Sequence, residues 1–144
     1  MSDTYSTSIR IAATPEEVFP YFTDADLFVR WMGDWAKLEP AAGGVFAADI
    51  NGVPIRGEYV VVEPPHRLVF TWGAAGSEVL PAGSTTVEVT LAAEGDETLL
   101  ELFHRDLPAD EVPKHASGWA HYLARIAEAA AGGDPGPDPW AEAS

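Results

Sequence analysis

From Val45 to His104 the chain reads as short runs in which apolar and polar residues alternate, each closed by a turn signal. A single long stripe of helical period then follows. That order constrains the fold more than any other feature. Period two puts alternate residues on one face of a strand, and period 3.6 puts every third or fourth residue on one face of a helix. Gly43-Gly44 opens the run Val45 to Ile50, Asn51-Gly52 is a hairpin signal, and Ile55 to Val62 follows. Pro64-Pro65 precedes Arg67 to Trp72, and a Gly-, Ala- and Pro-rich stretch from Gly73 to Gly83 reads as a long loop. In Thr85 to Leu91, Val87, Val89 and Leu91 share one face. Glu94-Gly95-Asp96 turns the chain into Thr98 to His104, where Leu100, Leu102 and His104 share a face taken as inward.

The closing stripe predicts a helix from about Pro113 to Ala131, with His115, Trp119, Tyr122, Leu123, Ile126 and Ala130 on one side. At this length it spans about 27 Å. Gly118 inside it costs about 1 kcal/mol against Ala and is expected to permit close approach to a strand. Ahead of the sheet stand a strand-like run, Ser6 to Ala12, and a helix start at Thr14-Pro15-Glu16-Glu17, where Thr14 and Glu17 form a capping box. Asp24 opens a second short helix through Leu27, Phe28 and Trp31, ended by Gly33. Trp35 takes no assigned place. Residues 1–131 are expected to form one domain and 132–144, with Trp140, a disordered tail. The layout is α+β: a curved antiparallel sheet of about six or seven strands, two short helices after the first strand, and one long C-terminal helix.

Composition narrows the chemistry. The 144 residues include no Cys, which removes thiol nucleophiles and Cys-ligated metals, and leaves His and Tyr as the candidate proton carriers. Eight basic against 23 acidic residues give a net charge of -15, which repels nucleic-acid backbones and anionic membranes, so neither is an expected partner. Met1 to Tyr5 opens without a basic segment and apolar run, and no stretch is long enough to span a bilayer, so a cytoplasmic location is expected. No phosphate-binding loop, dinucleotide fingerprint or nucleophile elbow occurs. His115 and His121 stand roughly 240° apart on a helix and cannot share a metal from it. No metal and no cofactor are expected. Ser117 and His121 share a helix face, but no acid is indicated to complete a triad.

Several strings occur in a family's order. Arg30-Trp31-Met32-Gly33 resembles R-W-W-G, with Met32 in place of an aromatic. Gly43-Gly44-Val45-Phe46 resembles G-G-x-F, and Gly57 to Trp72 resembles a block ending in P-P-x-R-L-x-F-x-W, with Val61 where Glu is frequent. His104 closes its run as the family His does, and His115 to Trp119 resembles H-x-x-G-W. From about Thr4 to Ala131 the chain is therefore similar to the family of homologues of the activator of heat-shock protein 90 ATPase. That family belongs to the START-like, or SRPBCC, superfamily of birch-pollen-allergen-like helix-grip folds.

The resemblance implies a cavity between the sheet and the last helix. Its candidate wall is Trp31, Phe46, Tyr59, Phe70, Trp72, Trp119 and Tyr122, with Leu102 and Leu123; the competing reading is that these side chains fill an ordinary core. His104 and His115 are candidate polar groups on the same wall. His104 is the weak candidate for general acid–base work, against a neutral buried imidazole bonded to its surroundings. The expected function is non-catalytic binding of a small hydrophobic or aromatic molecule. An aromatase/cyclase-like enzyme acting on a polyketide-type substrate is one alternative. A co-chaperone or other protein-interaction module, with a protein partner or a homodimer, is another.

Overall fold

The computed structural model describes residues 2–136. Seven antiparallel strands form one sheet in the order β1-β7-β6-β5-β4-β3-β2. They are β1 (Ser2–Ile11), β2 (Trp35–Leu38), β3 (Val45–Ile50), β4 (Val53–Glu63), β5 (Arg67–Trp72), β6 (Thr85–Glu94) and β7 (Glu97–Pro108). Between β1 and β2 lie α1 (Pro15–Val18), a 3₁₀ turn (Phe19–Phe22) and α2 (Ala25–Phe28). The long helix α3 (Val112–Ala130) follows a 3₁₀ turn and lies against β1. This is the expected α+β helix-grip layout. Among the described residues no helix is long and apolar enough to cross a membrane.

Local chemistry sets the element ends. The Thr14 hydroxyl accepts from the Glu17 N–H, and the Glu17 carboxylate accepts from the Thr14 N–H, so the capping box forms as its residues dictate. Asp24 caps α2 by accepting from the Asp26 N–H at 2.9 Å. That helix is shorter than expected: Trp31 and Met32 close turns back onto Phe28 rather than extending a face. Asn51 and Gly52, at φ 53° and 82°, make the tight β3–β4 turn that only residues tolerant of left-handed backbone adopt without strain. The unassigned Trp35 begins β2, an edge strand, where its ring lies under the Arg56 guanidinium at 5.2 Å.

Two irregularities curve the sheet. Pairing slips in β4 between Tyr59 and Val61. It slips again between β1 and β7, where Asp106, at φ 65°, is the extra residue. Such bulges bend the strand that carries them. The second also resets the facing of β7: Leu100, Leu102 and His104 point inward, Asp106 is exposed, and Leu107 is inward again.

The inner face of the sheet meets α3 through Trp119, Tyr122, Leu123, Ile126 and Ala129, all buried. His115 is only half-buried at the helix start. Gly118 makes no close approach to a strand: a Cβ built there meets nothing within 4 Å. At the far end of α3 the Tyr21 hydroxyl donates to the Ala129 carbonyl at 3.2 Å. Arg125 donates to the Trp31, Pro135 and Gly136 carbonyls, so residues 132–136 of the expected disordered tail are held against the helix. Trp140 lies outside the described residues.

Candidate functional site

The expected aromatic wall divides into two groups. Trp31, Phe46, Tyr59 and Phe70 are part of a packed cluster with Phe22 and Phe28. Phe46 and Phe70 stack at 4.1 Å, and Phe28 and Trp31 meet edge to face. Their polar atoms are satisfied within the protein: Trp31 Nε1–H donates to the Tyr21 carbonyl at 2.9 Å, and the Tyr59 hydroxyl donates to the Phe22 carbonyl at 2.7 Å. Burial raises the Tyr59 phenol above its ordinary range. These four residues, with Leu102 and Leu123, are core and do not line the cavity. The physical reason is the short helical segment after β1. It delivers Phe22 and Phe28 into the sheet's concavity and fills that end.

The other end stays open. A cavity of about 490 Å³ lies between α3, the β3–β4 hairpin and the loop after β5. Of the expected wall residues, Trp72, His115, Trp119 and Tyr122 line it. Trp72 and Trp119 sit 5.3 Å apart with planes tilted by 47°. Met32, Ile50, Val53, Ile55, Ala74 and Leu80 complete an apolar surface that the sequence did not single out as a wall. Met32 is the residue that replaces the family aromatic. Asn51, Ser77, Glu111, Lys114 and Gly118 also contribute. The signals for these lay in the Asn51-Gly52 turn and the Gly73–Gly83 loop, which converge on the helix only in three dimensions.

The polar groups of the cavity are mostly engaged. Asn51 Nδ2 donates to the Tyr122 hydroxyl at 3.0 Å. Lys114 pairs with Glu111 at 3.1 Å, so the charges at the helix start offset each other. His115 Nδ1 bonds the Glu111 carbonyl at 3.0 Å; a carbonyl only accepts, so this nitrogen carries a proton. Nε2 of His115 is left for another partner.

His104 lies behind this wall and is fully buried. Its tautomer follows from its neighbours. The Thr85 hydroxyl donates to the Trp72 carbonyl at 2.7 Å, so toward His104 Nε2, 2.8 Å away, it can only accept. Nε2 therefore carries the proton, and Nδ1 accepts from Trp119 Nε1–H at 3.0 Å. Loss of solvation, and then the nearby His115, push the His104 imidazole down to about 3. Both ring nitrogens are occupied by protein. His104 ties β6, β7 and α3 together and has no nitrogen to offer a substrate. Among the described residues no group of three or more His, Asp or Glu is placed to hold a metal ion.

A sheet closed around one long helix, with a cavity at the helix start, defines a START-like helix-grip domain. The chain belongs to the activator of Hsp90 ATPase homolog 1-like family, whose model matches residues 12–131. Among solved structures, an AHSA1-like protein of Rhizobium etli is 45% identical, with a TM-score of 0.77 over 96% of this chain and 88% of that one. DynU16, from the dynemicin biosynthetic locus, is 25% identical with a TM-score of 0.79, over 92% of this chain and 49% of that one. An Hsp90 activator of Plasmodium falciparum shares the fold at 24% identity and a TM-score of 0.71, over 85% of this chain and 92% of that one. No curated protein matches the chain.

Proposed function

We propose that this protein binds a small, largely apolar molecule in the cavity at the start of α3, without transforming it. The observation that carries the reading is the cavity itself. About 490 Å³ bounded by two indoles, Met32, Ile50, Ile55 and Leu80 is within the usual size of a ligand site and has the usual apolar lining. Binding would draw on apolar area removed from water, at about 25 cal/mol per Å². The test is ligand-observed NMR against fatty acids, sterols and aromatic polyketides. The expected result is at least one class binding well below 1 mM, with shifts at Trp72, Trp119 and Tyr122. If no compound binds more tightly than about 1 mM, roughly 4 kcal/mol, the reading fails.

A second reading is an aromatase/cyclase-like enzyme that shapes a polyketide-type substrate in the same cavity, and the similarity to a protein of a biosynthetic locus is compatible with it. With both His104 nitrogens engaged and Glu111 and Lys114 paired with each other, His115 and Tyr122 are the remaining wall groups able to move a proton. Turnover of such a substrate that His115→Ala abolishes and His104→Gln spares would establish this reading over the first. The family description supports a third, a protein partner, which a pull-down at low salt would test.

A further inference from the structure

Among the described residues, buried side-chain donors have acceptors, with one exception. Trp31 Nε1–H has the Tyr21 carbonyl, Trp119 Nε1–H has His104, and the Tyr59, Thr85 and Thr98 hydroxyls each have a carbonyl. Trp72 Nε1 is buried and has no partner; among the described residues it is the one such side-chain atom. Trp72 is 6% exposed and forms part of the cavity wall beside Trp119. A buried N–H without an acceptor costs about 1–3 kcal/mol, and a native fold seldom carries one without a use. The rest of the wall makes the use specific. Lys114 is already paired with Glu111, so the cavity offers no unpaired lysine or arginine for a carboxylate or phosphate.

We propose that the Trp72 indole N–H is the specificity donor of this cavity, and that it selects an uncharged, flat ligand carrying a carbonyl-type oxygen over a hydrocarbon of the same shape. This rests on the binding reading above and deepens it. In the unliganded protein the N–H is sealed from water, so a ligand oxygen reaches it as wall side chains shift. Met32 and Leu80 line the same cavity, and the unbranched Met32 side chain changes rotamer at small cost. The Trp72–Trp119 pair, in mutual contact at 5.3 Å, then presents one aromatic wall to a planar ring system. The oxygen accepts the N–H while the ring displaces water from the apolar wall.

The test uses 9-fluorenone and fluorene, planar uncharged probes that differ by one carbonyl. Their dissociation constants are measured for the wild type and for Trp72→Phe, which keeps an aromatic ring and removes the N–H. The ratio of the two constants should fall by roughly five- to tenfold in the variant, the worth of one net hydrogen bond. The indole N–H cross-peak that vanishes in Trp72→Phe assigns Trp72 in the NMR spectrum. In the wild type, fluorenone should move it downfield and fluorene should not. If Trp72→Phe fails to fold, 3-benzothienylalanine placed at position 72 keeps the shape with sulfur in place of N–H. An unchanged ratio, or an equal response of the cross-peak to both probes, overturns the role of Trp72 and leaves binding intact. Absence of any shift at cavity residues with either probe overturns this inference alone, and the broader ligand screen decides the binding reading separately.

Discussion

His104→Gln tests the buried, neutral state of His104, because the surroundings of the ring set both a cost and a pH dependence. The wild-type imidazole makes two buried bonds, to Thr85 and to Trp119. One amide can replace at most one of them well, so a buried donor or acceptor is left unmatched, at about 1–3 kcal/mol at pH 7.5. The pH dependence is more telling. An unfolded His takes a proton at about pH 6.5, whereas burial holds the folded one down to about 3. Between these values the unfolded chain binds a proton that the folded chain refuses, so stability falls as pH falls. The slope rises to about 1.4 kcal/mol per pH unit below pH 6.5, which amounts to roughly 2 kcal/mol from pH 6.5 to 4.5. The Glu88 carboxylate, lowered by hydrogen bonds from Arg105 and then Arg67, has the opposite origin but loses its contribution only as pH falls below its unfolded value, near 4.5. The windows therefore separate. Urea unfolding followed by tryptophan fluorescence at pH 7.5, 6.5, 5.5 and 4.5 should show the wild type losing about 2–3 kcal/mol more than His104→Gln over that range. Parallel pH profiles for the two proteins, or an imidazole resonance of His104 titrating near 6.5, would refute the buried neutral assignment.

Three other substitutions probe separate parts of the fold. Tyr59→Phe leaves the buried Phe22 carbonyl without its 2.7 Å donor and should lower unfolding stability by about 1–2 kcal/mol, read from denaturant midpoints. Gly57→Ala would set a Cβ 2.0 Å from the Thr71 carbonyl oxygen, so the β4–β5 seam must shift; a loss of about 2–3 kcal/mol is expected, with slowed amide exchange lost along that seam. Gly118→Ala should do the reverse. Its Cβ meets open space, so helix propensity should raise stability by up to about 1 kcal/mol, while the added methyl narrows the cavity and weakens whatever ligand the NMR screen identifies. A stability gain without any loss of binding would place the ligand elsewhere.

How far the sequence carried the fold follows from what each signal encodes. Alternation in Thr85 to Leu91 and Thr98 to His104 gave the inward faces of β6 and β7, because strand period two is a local property. The stripe on α3 was legible for the same reason, as was the Thr14–Glu17 capping box. The four-residue strand β2 was not, since Trp35-Ala36-Lys37-Leu38 is too short for a period to show against its charged neighbours. Facing also says nothing about depth along the sheet. Phe46, Tyr59, Phe70 and Trp72 all point inward, yet the first three meet the aromatic cluster delivered by Phe22 and Phe28, and only Trp72 reaches the open end. That division depends on where the segment after β1 packs, which no strand pattern contains.

The fate of His104 shows the same limit at the level of chemistry. An inward His beside apolar residues reads equally as a catalyst or as a packed group, and the deciding facts are two partners on other elements. Thr85, by donating to the Trp72 carbonyl, fixes which ring nitrogen is protonated. Trp119, by donating to the other nitrogen, leaves none exposed. The same arrangement uses the indole N–H of Trp119 behind the wall and leaves that of Trp72 unused. Two tryptophans that the sequence presents as equivalent thus differ in kind: one holds the helix to the sheet, and the other keeps a donor free for an occupant of the cavity.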